Sequence, residues 1–412
     1  MTRIDTTCCV VGGGPAGMML GFLLARAGIA VLVLEKHADF LRDFRGDTIH
    51  PSTLELMHEL GLLEEFLALP HSRIRELKLQ IGDDRLAIGD FEHLPVRCKF
   101  IALMPQWDFL DFVAGRARRY PSFDLRMEAE ATDLVFDGDR VAGVRATTAE
   151  GPVEIRADLT VACDGRRSRL RDAAGLRVEN LHAPMDVLWF RVSRQASDPD
   201  DVLGRIESGR MMVMLNRGDY WQCAFLIPKG SADEVRRAGL DRFRAQVAAM
   251  APLLGDRLHE IDTFDDVKLL TVEVDRLRRW YRPGLLCIGD AAHAMSPIGG
   301  VGVNLAVQDA VAAANILAEP LRERTVTTDT LAKVQRRRAF PARTTQFFQV
   351  LMQNRLIGPA LGSPGRRPRA PLFMKMMQWP LLRRLPGRLF ALGIRPEHVR
   401  TGQTDHPALQ PR

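Results

Sequence analysis

Apolar positions change their spacing several times along the chain, and the changes divide it. TTCCVVG is a short continuous apolar run, MMLGFLLARAG carries apolar residues at helical spacing, and IAVLVLE is a second continuous run. Unbroken apolar runs of this length predict strands buried on both faces, as in a parallel sheet. The first 36 residues therefore read as strand, glycine-rich turn, helix, strand. Residues 51 to 69 predict two short helices, with Pro51 in a first turn and Gly61 between them. Short strands follow over 74 to 100, then a helix in WDFLDFVAGRARR, then several strands over 123 to 163 ending in DLTVACDG.

From 180 to 274 the texture changes. VLWFRVS, RMMVMLN, DYWQCAFLIP and VKLLTVEVD predict antiparallel strands, with one helix near DRFRAQVAAMA. The apolar run GLLCIG then returns to the first pattern, and helices are predicted from about 303 to 356. Residues 355 to 400 hold ten basic residues and one acidic residue, Glu397, interleaved with Leu, Phe, Met and Trp379. Two readings of this tail stand side by side. It is a helix packed on the nucleotide-binding part of the molecule with arginines outward, or a peripheral membrane helix.

Composition narrows the class. Apolar content of 46% and charged content of 26% exclude a disordered or fibrous chain. The formal charge of +6 suits an anionic cofactor or membrane face, or reflects only an arginine-rich proteome, and no aromatic-basic motif supports nucleic acid. Cys8, Cys9, Cys98, Cys163, Cys223 and Cys287 form no C-x-x-C pair, and most sit in apolar runs, which fits a reducing cytoplasm and no zinc knuckle. The amino-terminal run lacks the apolar core of a signal peptide, so a soluble or peripheral protein is expected.

Gly12, Gly14 and Gly17 form G-x-G-x-x-G between the first strand and helix, around Pro15 and Ala16, and Glu35 ends the second strand 18 residues later. One glycine allows a tight turn, one lets a pyrophosphate approach the backbone, and one lets the helix pack closely. The helix N-terminus meets the phosphates and the acid accepts from ribose hydroxyls. Asp164-Gly165 and Gly289-Asp290 each close a further apolar strand. At Asp164 a helix N-cap explains the residue as well as a ligand does. After Asp290 come small residues, Pro297, and then Gly299, Gly300 and Gly302 ahead of a long helix, a place for an anion or an electron-rich ring edge. The spacing of Asp290, His293 and Ser296 makes neither a catalytic triad nor a metal site.

VVGGGPAG with Glu35, ACDGRRSRLR, and GDAAHAMSPIGGVGVN, in this order, resemble the single-component FAD-dependent aromatic hydroxylases, the family of p-hydroxybenzoate hydroxylase and the ubiquinone-pathway hydroxylases. FRGDTIHPSTLELMHELGL and MPQWDFLDFVAGRA resemble two further FAD contacts, and the likeness spans about 1 to 345. It implies that the first loop holds the ADP part of FAD, with Glu35 on the ribose and Lys36 beside it. Arg45 is implied to face the pyrophosphate and flavin, and Gln106 the ribityl-pyrophosphate region. Asp164-Gly165 would serve FAD and NAD(P)H, and Asp290 the ribityl chain. Pro297 would lie near the reactive flavin carbon, while the amides around Gly300 and from Gly302 through Val303 to Asn304 would face the N1-C2 edge. Val301 stands where many relatives carry Gln or Lys, which leaves the substrate's polarity open.

The expected fold is α/β. A Rossmann-like FAD-binding domain with a parallel sheet comes from 1–178 and 275–345. A mostly antiparallel substrate-domain sheet is inserted at 179–274, joined by strands from about 74–100, and a basic helical extension follows at 346–412. The resemblance implies a monooxygenase: NADPH or NADH reduces FAD, O2 adds to the flavin, and the flavin hydroperoxide hydroxylates or epoxidises an aromatic or other electron-rich, lipophilic small molecule. No side chain is singled out as acid or base. His50 is expected in a loop near the flavin, and Tyr220 and Trp221 are candidates for the pocket roof. An FAD-dependent prenyl-chain reductase and a non-enzymatic redox sensor are the alternatives, in a monomer or homodimer.

Overall fold

Thr2–Val11 becomes the axis of the first sheet because its apolar half, Cys8 to Val11, is enclosed on both faces. In the computed structural model, which describes residues 2–41, 48–199, 203–207, 209–362, 369–370, 372–376 and 378–403, this strand lies between Gly151–Ala162 and Val31–Leu34 and is parallel to both. Leu285–Cys287 adds to Gly151–Ala162, and Phe123–Arg126 to Val31–Leu34, again in parallel. Arg140–Thr148 and Glu130–Asp137 extend the sheet as an antiparallel pair. The helix Pro15–Arg26 covers one face and packs against Val301–Arg322, which packs in turn against Thr328–Met352.

The segment Ile298–Arg322 is apolar enough to cross a membrane, yet 78% of its most apolar window is buried inside the molecule. It is a core helix. Its apolar character is accounted for by packing on two other helices.

A second sheet has seven strands in the order Lys268–Leu270, Met185–Ser193, Tyr220–Pro228, Arg210–Asn216, Leu203–Glu207, Glu76–Ile81 and Asp84–Asp90. Residues of one parity on Tyr220–Pro228, from Trp221 to Ile227, pack with Phe243 and Val247 of the helix Leu240–Met250. Ala224 and Leu226, of the other parity, pack with Ile298 and Ile357. The run VKLLTVEVD is shorter as a strand than its pattern predicts. Only Lys268–Leu270 joins this sheet, while Asp275–Leu277 pairs with Val178–Asn180 in a separate ribbon.

Two small features complete the frame. Thr48–Ile49, Ile101–Leu103 and Ser72–Ile74 form a three-stranded antiparallel sheet. The tail helix Pro380–Leu392 packs on Asp84–Asp90, an edge of the second sheet rather than the face of the first. A Cβ at Gly387 would lie 2.4 Å from the Asp90 carbonyl oxygen, so this crossing requires glycine.

Candidate functional site

Register brings three stations together: the glycine loop with Glu35, Asp164-Gly165 and Gly289-Asp290. Val11 is level with Leu34 on one side and Ala162 on the other, and Ala162 is level with Cys287. Gly12, Glu35, Cys163-Asp164 and Ile288-Gly289 therefore leave the sheet at one height, at the carboxyl ends of parallel strands, where open α/β sheets bind ligands. Their backbones touch there. A Cβ at Gly12 would lie 2.3 Å from the Cys163 carbonyl oxygen, one at Gly17 1.9 Å from that of Gly12, and one at Gly289 3.0 Å from the Ala16 Cβ.

Gly14 differs from these. A Cβ there would meet nothing within 4 Å. It precedes Pro15 at the start of a helix whose N-terminus has no side-chain capping bond. An open backbone at an uncapped helix N-terminus fits a phosphate group. Glu35 stands beside it, its Oε2 accepting from the Gly13 amide at 2.9 Å and its Oε1 from the His37 amide at 3.1 Å. Lys36 is exposed.

Asp164 is held inside the second station, where its Oδ2 accepts from the Leu170 amide at 3.3 Å and its Oδ1 has no hydrogen-bond partner. Burial pushes its carboxyl above the usual range. The N-cap position of Arg169–Ala173 belongs to Ser168, which accepts from the Arg171 amide, while Asp164 takes the Leu170 amide of the same first turn. Gly165 has a left-handed φ of +83°. At the third station Asp290 is one-third exposed, its Oδ2 3.6 Å from the Arg166 guanidinium.

The turn after Asp290 is shaped by left-handed glycines and gripped by distant side chains. Pro297 leads into a 3-10 turn over Ile298–Gly300, with φ of +76° at Gly299 and +61° at Gly300. Gly300 precedes Val301–Arg322, again with no side-chain cap, so Gly302, Val303 and Asn304 lie in the first turns of an uncapped 22-residue helix. A Cβ at Gly300 would lie 2.1 Å from the Thr48 hydroxyl, and one at Gly299 2.7 Å from the Phe390 ring. The Asn304 side chain accepts from the His50 amide and the Thr53 hydroxyl, both at 2.8 Å, and donates to the Thr48 carbonyl at 2.9 Å.

His293 and Ser296, which read as plain turn residues in the sequence, have dedicated buried partners. His293 Nε2 lies 2.6 Å from Asp309 Oδ2, and Asp309 also accepts from the Gly289 amide at 3.1 Å and from Arg338 Nε at 2.9 Å. Burial would push the Asp309 carboxyl up, but His293 and Arg338 outweigh it and hold it below the usual range. Three glutamines of one helical stripe grip the turn's backbone and hydroxyl. Gln346 donates to the Ala294 carbonyl at 3.0 Å, Gln349 to those of Ser296 and Ile298 at 3.0 and 2.9 Å, and Gln353 to the Ser296 hydroxyl at 2.6 Å. Glutamines three and four apart on a helix were the available sequence signal, but nothing in their spacing names the partner.

A mostly apolar cavity adjoins the turn, with His50, Ile298, Val301, Phe348, Met352 and Phe390 among its walls. His50 opens the helix Pro51–Glu59, and its Nδ1 donates to the Phe390 carbonyl at 2.6 Å. Burial pushes its imidazole down to about 4, so it is neutral near pH 7. Trp221 is not a wall of this cavity. It is fully buried on the opposite face of the second sheet, where its indole N–H donates to Asp198 at 2.8 Å. A strand's alternation places successive residues on opposite faces, so the pair Tyr220-Trp221 is split; Tyr220 is half-buried at the strand's start. Gln106 opens the helix Gln106–Ala117, just after the strand that pairs with Thr48–Ile49. Arg45 lies outside the described residues.

Among the described residues, one group with metal-ligating atoms stands elsewhere: Asp90, Glu92 and His93 bring theirs within 4.8 Å of one another. Asp90 there accepts from the Glu92 amide at 2.9 Å, and Glu92 and His93 are exposed.

Comparison with known proteins shows the family and the fold. Residues 5–348 match the sequence model of a family described as an FAD binding domain. The 6-methylpretetramide 4-monooxygenase of Streptomyces rimosus is 31% identical over 371 residues, 90% of this chain and 88% of that protein. A dialkyldecalin synthase of Streptomyces rugosporus is 28% identical over 75% of this chain and 64% of that protein, so the chain spans less than two thirds of that relative. Among solved structures, OxyS anhydrotetracycline hydroxylase from Streptomyces rimosus superposes with a TM-score of 0.76 at 24% identity, covering 98% of this chain and 78% of that one, a likeness of fold.

Proposed function

From the premise that this chain belongs to the FAD binding domain family of flavin-dependent aromatic hydroxylases, we propose that it is a monooxygenase that uses NAD(P)H and O2 to oxygenate an apolar, aromatic small molecule. The observation that carries this reading is the common level of Val11, Leu34, Ala162 and Cys287. That level brings the strand ends before Gly12, Glu35, Asp164 and Asp290 together, and the chain runs on from two of them into helices that start uncapped after Gly14 and Gly300. Such a surface suits one long ligand with phosphates at one end and an electron-rich ring at the other.

In this reading the loop from Gly12 to Gly17, with Glu35 and Lys36, takes the ADP portion, and Gln106 and Arg45 serve the pyrophosphate and ribityl region. Asp164-Gly165 lies between cofactor and nicotinamide donor, and Asp290 takes the ribityl hydroxyls. Pro297, Gly300, Gly302, Val303 and Asn304 line the ring, with backbone amides and a helix N-terminus favouring negative charge at its edge. Bound FAD supplies electron acceptance from the nicotinamide and activation of O2. The chain itself binds, orients and excludes water.

Residues 1–178 and 275–345 form the flavin-holding part in this assignment, and 179–274 roofs the substrate. The cavity beside Ile298 and Val301 supports an apolar substrate, since its walls are mostly apolar, His50 is neutral, and the charged Arg338 among its lining is paired with Asp309 and Glu397. The prenyl-reductase alternative is not favoured, because the 31% identical relative is a monooxygenase. Trp379, Leu382 and Leu385 are exposed on the tail beside exposed Arg384 and Arg388, which supports peripheral contact with an anionic membrane face during uptake of a lipophilic substrate.

Asp290→Ala tests the placement. The variant should lose its yellow colour on dialysis, and unchanged flavin occupancy would overturn the assignment of the ribityl contact. For the reaction, NAD(P)H oxidation is followed against phenols, quinolones and polyketides under labelled O2. Label in the product is expected, and a reduced, unlabelled product would sink monooxygenation.

A further inference from the structure

The family match ends at residue 348, yet the last described residues return to the first half of the molecule and bind it through side chains. Phe390 begins the return. Its ring covers Gly299 and its carbonyl accepts from His50. Glu397 is next, and it is the one acidic residue among 355–400. It is 2% exposed, and a carboxylate that deeply buried stands only when paired. Its partners are Arg337 Nε at 2.6 Å and Arg338 Nη1 at 3.4 Å, while its own amide donates to Gln308.

Arg338 continues the connection inward. Its Nε donates to Asp309 Oδ1, and Asp309 Oδ2 accepts from the Gly289 amide and faces His293. Glu397 is thereby linked, through two buried charged side chains, to the amide of Gly289, the residue before Asp290. Outward from Glu397 the segment is laced down further. Glu59 accepts from the Val399 amide at 2.7 Å. Asn315 donates to the His398 carbonyl and accepts from the Arg400 amide, both at 2.8 Å. Arg26 donates to the Thr401 carbonyl at 2.7 Å. Four helices that frame the candidate flavin site are thus tied by one stretch of chain.

We propose that residues 390–401 are a clamp on the flavin-binding turn, with Glu397 as a positioning residue that acts through Arg338 and Asp309 on Gly289-Asp290. The proposal rests on the reading of Asp290 as an FAD ligand. A buried chain of charges transmits a change at one end because each member would be left unpaired if its neighbour moved. Glu397 touches no part of the site itself. Its effect is on the shape that the turn holds when FAD arrives.

The test uses the full-length chain, stripped of flavin and titrated with FAD by fluorescence, with visible circular dichroism of the reloaded protein and its thermal midpoint recorded in parallel. Glu397→Gln should weaken FAD binding about tenfold and alter the visible dichroism, a size seen for residues that couple to a ligand without touching it. Glu397→Asp should restore most of both. Glu59→Gln, at the outer tie, keeps the test open if Glu397→Gln does not fold, with a shift of about threefold. Wild-type FAD affinity and dichroism in the variants, whether or not the midpoint falls, would overturn the clamp. A wild-type chain that takes up no FAD would instead overturn the flavin reading on which it rests.

Discussion

The two glycine turns, Gly12–Gly17 and Pro297–Gly302, do the same job by different means. Each lies between a strand of the first sheet and a helix that starts uncapped. In the first, the atoms that forbid a side chain are backbone: the Cys163 carbonyl at Gly12 and the Gly12 carbonyl at Gly17. In the second they are side chains from far away in the chain, Thr48 at Gly300 and Phe390 at Gly299. The first turn is shaped by main chain on a neighbouring strand and on the turn itself. The second is held open by side chains, with the glutamine stripe on Ser296 and Ile298, while Asp309 grips the segment leading into it through Gly289 and His293. A backbone obstacle cannot be mutated away, whereas a side-chain obstacle can.

Mutations can break or sharpen this contrast. The largest effect is expected for Gly12→Ala, where a methyl group would have to displace the Cys163 peptide at a φ of +107°. The cost should exceed about 4 kcal/mol, read as loss of soluble folded protein, because strain and steric conflict add. Asp309→Ala comes next, since it leaves Arg338 buried without its inner partner. About 3–5 kcal/mol is expected in urea unfolding, and a loss below about 1 kcal/mol would show that the second turn does not depend on that grip. The smallest effect is the most diagnostic. Gly299→Ala should be partly rescued by Phe390→Ala, with a coupling of about 1–2 kcal/mol in a double-mutant cycle. Strictly additive losses would mean that the two turns are shaped alike.

The same contrast explains what the sequence disclosed. The first turn was legible down to single residues because strand, glycines, helix and Glu35 follow one another, and local geometry demands them in that order. The glycines of the second turn were legible, as was Asp290 as a strand-end residue. What holds that turn was not. His293 acquires a partner 16 residues later and Ser296 one 57 residues later, on two different helices, and a turn's sequence carries no address for them. Trp221 could not be assigned a face until the strand's parity was anchored by the helix behind it. The tail's one acid stood out in the sequence, but its meaning depended on Arg337 and Arg338 lying opposite it.

The level that Val11, Leu34, Ala162 and Cys287 share also bears on when the protein can become complete. Ala162 and Cys287 are spatial neighbours, yet the whole seven-stranded sheet, apart from its outer hairpin, is encoded between them. Chains are made from the amino end at a modest pace, and early segments fold as they emerge. During synthesis the first turn can form while its companion strand is still untranslated, which exposes one uncovered parallel edge for the interval. The ribosome must deliver Leu285–Cys287 before that edge is closed, and Glu397 later still. Cofactor capture is therefore expected to be among the last events in the life of the nascent chain.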